Sequence, residues 1–311
     1  MKILVTGGAG FIGSHIVDAY LQLGHEVTVI DNLITGRAEN LNPKAKFFHL
    51  DIRDAEQVMQ MFEAGRFDIV NHHAAQMDVR RSVNDPVYDA SVNILGVLSV
   101  LECCVKTGVR RVIFASSGGA IYGEQDYFPA DEAHATRPIS PYGVAKLTTE
   151  NYLFYYKAVY GIDSVSLRYA NIYGPRQNPE GEAGVVAIFT SKMLASEQPV
   201  INGDGKQTRD YVYVRDVVQA NVSVLKCNGC EVFNVGTGVE TDVNELFHHL
   251  KRATGANASE HHGPAKKGEQ LRSVLDARKI QSALGWKPAV PLKEGLQQTV
   301  EYFRSRKTHV A

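Results

Sequence analysis

Lys2-Ile3-Leu4-Val5-Thr6-Gly7-Gly8-Ala9-Gly10-Phe11-Ile12-Gly13-Ser14-His15-Ile16-Val17 is the stretch on which the reading of this chain turns. Its first residues predict a buried strand, and the apolar spacing after Gly13 predicts an amphipathic helix. Between them Gly7, Gly10 and Gly13 stand three apart. A diphosphate held against backbone N–H groups at a helix N-terminus needs such residues: one for the tight turn, one for close approach of the ligand, one for packing helix on strand. Asp31 closes the next β-rich run, residues 26–30, where a carboxylate takes ribose hydroxyls. Its charge repels a 2′-phosphate and the only nearby arginine is Arg37, so the pattern predicts NAD rather than NADP.

Outward from this unit, further β-rich runs at 46–50, 69–71, 112–115 and 164–167 are separated by segments long enough for crossover helices. The alternation predicts an α/β fold, a Rossmann-type doubly wound parallel sheet. Past Tyr173-Gly174-Pro175 the pattern loosens into a loop at 176–184, a helix at 185–196 and short strands around Gly203-Asp204-Gly205. A helix at 216–226 and a strand at 232–235 then predict a return to the first domain. The expected organisation is residues 1–170 plus about 215–236 as the NAD-binding domain. Residues 171–214 plus 237–311 form a smaller, interleaved α/β substrate-binding lobe, with the ligand between the two.

Of 311 residues, 44% are hydrophobic and 22% charged, the balance of a globular protein with a sizeable core. Lys and Arg number 33 against 34 Asp and Glu, so no global field favours nucleic acid or anionic lipid, and an anionic ligand must be met locally. The apolar run at the N-terminus is too short for a signal peptide or a membrane span, and the expectation is a cytoplasmic protein. Cys103-Cys104 and the Cys227/Cys230 pair lack the second Cys or His pair of a zinc site, and no metal is expected.

The chemistry is carried by Tyr142-Gly143-Val144-Ala145-Lys146, just after Pro141. On a helix, this spacing puts the phenol and the ammonium on one face, one turn apart. A nearby ammonium stabilises a tyrosinate and lowers the phenol from its usual value of about 10, the condition for a general base. The strand run Phe114-Ala115-Ser116-Ser117 places hydroxyls where open α/β sheets bind ligands. Taken alone, the Tyr/Lys spacing is also that of an ordinary surface pair.

In order and spacing, a set of blocks resembles the extended short-chain dehydrogenase/reductase family over nearly the whole chain, and within it the UDP-glucose 4-epimerases. The blocks include Gly7 to Gly13, His73-Ala74-Ala75, Ser116-Ser117, Tyr142 to Lys146, Asn171-Ile172-Tyr173-Gly174-Pro175 and Thr208-Arg209-Asp210-Tyr211. The resemblance implies NAD-dependent 4-epimerisation of a UDP-hexose through a 4-keto intermediate, with Ser117, Tyr142 and Lys146 catalytic. For the cofactor it implies Gly7, Gly10, Phe11, Ile12, Gly13, Asp31, Asn32, Asp51, Ile52, Ala74, Ala75, Asn93, Tyr142, Lys146 and Tyr169. For the UDP-sugar it implies Ser117, Asn171, Arg209, Lys266, Arg272 and Ser273, with Lys266 and Arg272 as alternatives for one phosphate contact. Some relatives carry a bulky aromatic where this chain has Ser273, so room for N-acetyl sugars is expected. Family members also pair the Tyr142 helix with residues 85–106 in a dimeric four-helix bundle, which implies a homodimer.

Rival chemistries within the family, 4,6-dehydration and uronate decarboxylation, use acidic side chains just after the catalytic hydroxyl, where this chain has Gly118 and Gly119. UDP-glucuronate 4-epimerisation shares all the catalytic parts and is the nearest alternative. A non-catalytic NAD(H)-sensing regulator is more remote, because such proteins usually lack the Tyr/Lys pair.

Overall fold

The computed structural model describes residues 1–180, 184–265 and 270–307. The β-branched runs form strands β1 (Lys2–Thr6), β2 (Glu26–Asp31), β3 (Lys46–His49), β4 (Ile69–His72), β5 (Arg111–Ser117) and β6 (Asp163–Tyr169). After β7 (Asn171–Tyr173), β8 (Ile201–Asn202) and β9 (Thr208–Tyr213), the chain returns to the first sheet as β10 (Cys230–Val235). The order in that parallel sheet is β10-β6-β5-β4-β1-β2-β3. It reverses between β1 and β4, the switch point at which a doubly wound sheet opens a crevice at its carboxyl edge. Polar ends make β5 longer than its apolar run: Arg111 to Ser117 pair residue for residue with Asp163 to Tyr169.

Buried on both faces, the sheet has two cores. Helices Phe11–Gln22 and Val214–Ser223 cover one face, with Ile16, Val17, Tyr20, Val217 and Val218 packed on it. Helices Ala55–Gly65, Val97–Thr107 and Pro141–Tyr160 cover the other, and Cys103 and Cys104 belong to that core. The run Pro86–Thr107 is long and apolar enough to cross a membrane by length and composition. Here Val97, Val100 and Leu101 are buried against the sheet, while Val87 and Leu95 are exposed.

The remaining elements build a second sheet, in which β9 lies between β11 (Glu240–Asp242) and β13 (Arg272–Ser273) and also pairs with β7. Between β11 and β13, β12 (His262–Gly263) pairs with β8. Helices Val185–Leu194, Val243–Thr254 and Leu292–Lys307 supply a third core around Phe189, Phe247 and Leu296. Just after β13 the chain returns to the first sheet: Leu275 bridges to Ala130, and the Asp276 carbonyl accepts from Asn234 of β10 at 3.2 Å.

Candidate active site

The three glycines meet three different constraints. Gly7 has φ +68°, and a Cβ there would lie 2.6 Å from the Ala74 nitrogen. At Gly13 a Cβ would fall on the Gly7 carbonyl, so the helix could not pack so closely on the turn. Gly10 is the open one: a Cβ would meet only that carbonyl oxygen, at 3.1 Å, and otherwise project into free space. No side chain caps the helix Phe11–Gln22, and Phe11, Ile12 and Gly13 of its first turn line the cleft. That is an anion site made of backbone N–H groups.

The cleft runs along the switch point from Asp31 and Asn32, past the glycines and Ala74-Ala75, to Tyr142, Lys146 and Tyr169. Asp31 is 8% exposed and accepts from the Ala9 and Leu33 amides at 3.0 and 2.8 Å, one on each oxygen. Burial pushes its carboxyl up, and these two bonds pull it back. Arg37 bonds Asn178 and lies 3.6 Å from Glu39. A carboxylate with spare lone pairs beside an uncapped helix fits the ribose and diphosphate of NAD.

Two expected cofactor residues have other duties. Asn93 does not reach the cleft: its amide bonds both the N–H and the C=O of Gln76, at 2.9 and 2.7 Å, and Asp89 at 2.9 Å. It shapes the wall from behind, because every polar atom of its side chain is committed. Asp51 does line the cleft with Ile52, but Arg53 grips its carboxylate at 2.9 and 2.7 Å and holds it well below the usual carboxylate range. The cap of the helix that follows is Asp54. Sequence reading missed Gln76, Met77, Arg81, Tyr88 and Val92 as lining residues. Their signal was their place after β4, the other strand of the switch point.

Ser140 caps the helix Pro141–Tyr160 by accepting from the Gly143 amide at 3.1 Å, with Pro141 at the first position. That start fixes Tyr142 and Lys146 in the cleft wall. Lys146 Nζ lies 5.5 Å from the centroid of the Tyr142 ring and donates to the Ala115 carbonyl at 2.7 Å. It is 4% exposed, and burial pushes it down to about 8 while Asp89 and Glu150 hold it up. His73 lines the same wall and bonds the Tyr169 hydroxyl at 3.2 Å; burial, then Lys146, push its imidazole down to about 3, so it is neutral.

The two serines of β5 part company. Ser116 donates to Glu150 at 2.6 Å, and Arg168 takes the same carboxylate at 3.0 and 2.6 Å. Ser117 ends the strand half-buried, with its hydroxyl in no hydrogen bond among the described residues. A Cβ on Gly118 would lie 2.5 Å from a Leu275 methyl, so a side chain there would require Leu275 to move. At Gly119 the nearest atom is the Asn171 side-chain oxygen, at 3.9 Å, which puts Asn171 beside this loop.

Among the described residues, none of the expected substrate residues lines the dinucleotide cleft itself. Asn171 begins β7 and Arg209 lies on β9, paired in register with Ser273 of β13. Asp210 is filled by the Thr237, Gly238 and Leu275 backbone amides, so it is not a partner for Arg209. Arg272 pairs with Glu240 at 2.9 and 2.7 Å and stacks 3.6 Å from the Phe128 ring centroid. Ser273 is 3% exposed, and Lys266 lies outside the described residues. Cys227 and Cys230 are free thiols, and no group of metal-ligating side chains occurs among the described residues.

Residues 3–236 match the NAD dependent epimerase/dehydratase family. A UDP-glucose 4-epimerase of Mycolicibacterium smegmatis is 45% identical over 98% of this chain and 99% of its own length. The crystal structure of a UDP-glucose 4-epimerase from Thermotoga maritima with UDP-glucose superposes with a TM-score of 0.97 at 51% identity, covering 99% of this chain and 100% of that one. The Thermus thermophilus UDP-glucose 4-epimerase in complex with NAD gives 0.93 at 45%, covering 98% and 99%. With its glycine turn, buried Asp31 carboxylate and Tyr/Lys wall on one switch point, this chain belongs to the NAD-dependent epimerase/dehydratase family.

Proposed function

We propose that this chain interconverts UDP-glucose and UDP-galactose by NAD-dependent 4-epimerisation. The observation that carries the reading is Lys146, buried in the wall of the dinucleotide cleft one helical turn from Tyr142. Gly7, Gly10 and Gly13 would hold the diphosphate of NAD, Asp31 the adenosine ribose and Lys146 the nicotinamide ribose. Bound NAD supplies the hydride acceptor, and then the donor, at C4 of the sugar.

The protein's own part is proton transfer and orientation. Tyr142 takes the proton of the sugar 4-hydroxyl as its phenolate, which the Lys146 ammonium stabilises. Ser117 donates to the same oxygen as it becomes a carbonyl. After the keto sugar turns over between the lobes, Tyr142 returns the proton, so C4 inverts without net redox change. Gly118 and Gly119 after Ser117 favour this reaction over dehydration or decarboxylation, because they carry no acid/base group. Tyr142→Phe tests the assignment: turnover falls by about 10²–10⁴ with NAD still bound, and near wild-type turnover would sink it.

Arg209 and Asn171 are proposed to hold the UDP moiety and the sugar, with the small Ser273 beside Arg209 in register leaving room for an N-acetyl group. Product analysis on UDP-glucose, UDP-N-acetylglucosamine and UDP-glucuronate ranks the sugars, and inactivity on the N-acetyl form removes that extension. A second copy of the chain is the proposed partner. Val144, Phe154, Tyr155 and Val159 are exposed on the Tyr142 helix, next to exposed Val87 and Leu95. Sedimentation at twice the chain mass is expected, and a monomer would refute the dimer. The four free cysteines fit a cytoplasmic site.

A further inference from the structure

The short helix Pro86–Ala90 packs against the catalytic helix Pro141–Tyr160. Their seam holds two buried groups of opposite charge. Asp89 is 1% exposed, and one of its oxygens accepts from Gln76 Nε2 and Asn93 Nδ2, each at 2.9 Å. Burial pushes the Asp89 carboxyl up, and these two N–H donors, with the Lys146 charge, favour its ionised form. Lys146, on the other helix of the seam, has a single hydrogen bond, to a carbonyl, and no carboxylate within 4.0 Å among the described residues. Asn93 ties the two together, because its carbonyl also accepts from Thr149 on the catalytic helix at 3.2 Å.

The other groups around Lys146 cancel or are neutral. Glu150, on the same helix, is neutralised by Arg168 of β6. His72 and His73, at the end of β4, are pushed down to about 3 by burial and then by Lys146, so both are uncharged. Burial raises the phenol of Tyr169, and Tyr142 is the remaining titratable neighbour.

We propose that Asp89 is the counter-charge of the catalytic pair, a positioning residue that acts through Lys146 to set the pH window in which Tyr142 accepts a proton. The inference rests on the reading of Tyr142 and Lys146 given above. Buried charges interact across several ångströms because the surrounding dielectric is low. Removing one negative charge favours the less protonated form of every group near it, so both Lys146 and Tyr142 lose their protons at lower pH.

The test is the pH profile of kcat/KM for the NAD-loaded wild type, Asp89→Asn and Asp89→Glu. Asparagine keeps an oxygen for the same two donors. Both limbs of its bell are expected to move acidward by about one pH unit, while Asp89→Glu, which keeps the charge, leaves them in place. A purely structural role would lower the plateau without moving either limb, and limbs in Asp89→Asn that coincide with wild type overturn the proposal. If Asp89→Asn does not accumulate as folded protein, carboxyl-carbon NMR of wild type decides: Asp89 must be ionised at neutral pH, and a protonated carboxyl overturns the proposal. Unmoved limbs with an inactive Tyr142→Phe remove this inference alone, whereas an active Tyr142→Phe removes the reading beneath it.

Discussion

Lys146 is 4% exposed and Arg168 6%, and both lie against the carboxyl end of β5, yet only Arg168 is matched to a carboxylate. Burial alone would lower Arg168, but its two bonds to Glu150 and a third to Tyr122, at 2.9 Å, hold it above arginine's ordinary value. Tyr122 passes the chain to Asn234 of β10 at 2.7 Å, which in turn donates to the Ala130 and Asp276 carbonyls. This satisfied network pins the helix Pro141–Tyr160, three strands of the first sheet and the segment returning from the second lobe. Lys146 has been left short of partners and pushed down to about 8. One cation is scaffold; the other is kept responsive to its surroundings.

Breaking the scaffold side should have the largest effect on stability. Arg168→Met leaves Glu150 buried without a counter-charge, and urea unfolding should show a loss of about 3–5 kcal/mol. Adding Glu150→Leu should recover most of it, with turnover per folded molecule little changed in the double variant. A single-variant loss below about 1 kcal/mol would mean that Arg168 and Glu150 are no more than a surface-like pair.

The site side predicts a pH effect of smaller size. The native Lys146 lies near 8 against 10.5 in the unfolded chain, so across that interval the unfolded state holds a proton that the native state has shed. Stability from this group therefore rises with pH over the window, and the deficit is fully present below about 8. Relative to Lys146→Met, which cannot titrate, wild type should gain about 3 kcal/mol between neutral pH and pH 10.5. Unfolding curves that keep a constant offset across the window would show that Lys146 is not strained by burial.

The two regions also differed in how well the sequence disclosed them. The glycine turn, Asp31 and the Tyr142–Lys146 face are local patterns, written within a few residues, and the structure places all of them on one cleft. The strand at 232–235 was legible as an apolar run, and β10 joins the first sheet. The Ser116–Glu150–Arg168–Tyr122–Asn234 network joins residues up to 112 apart in the chain, with no periodicity to announce it. Asp89 was equally silent, although its spacing of four from Asn93 is that of one helix face. Chain position alone could not reveal the pairing of Arg272 with Glu240, which faces it across the neighbouring strand.

Ser116 and Ser117 give the finest division, since adjacent residues of one strand point to opposite faces. Ser116 donates to a buried carboxylate, so Ser116→Ala should cost about 1.5–3 kcal/mol by urea unfolding while turnover survives. Ser117 makes no side-chain hydrogen bond among the described residues, and Ser117→Ala should leave stability within about 0.5 kcal/mol while kcat falls about 10²-fold. The swap of these outcomes would place the substrate oxygen on the Glu150 side of β5. It would then make the buried network part of the chemistry, and the contrast between Lys146 and Arg168 would dissolve into a single extended site.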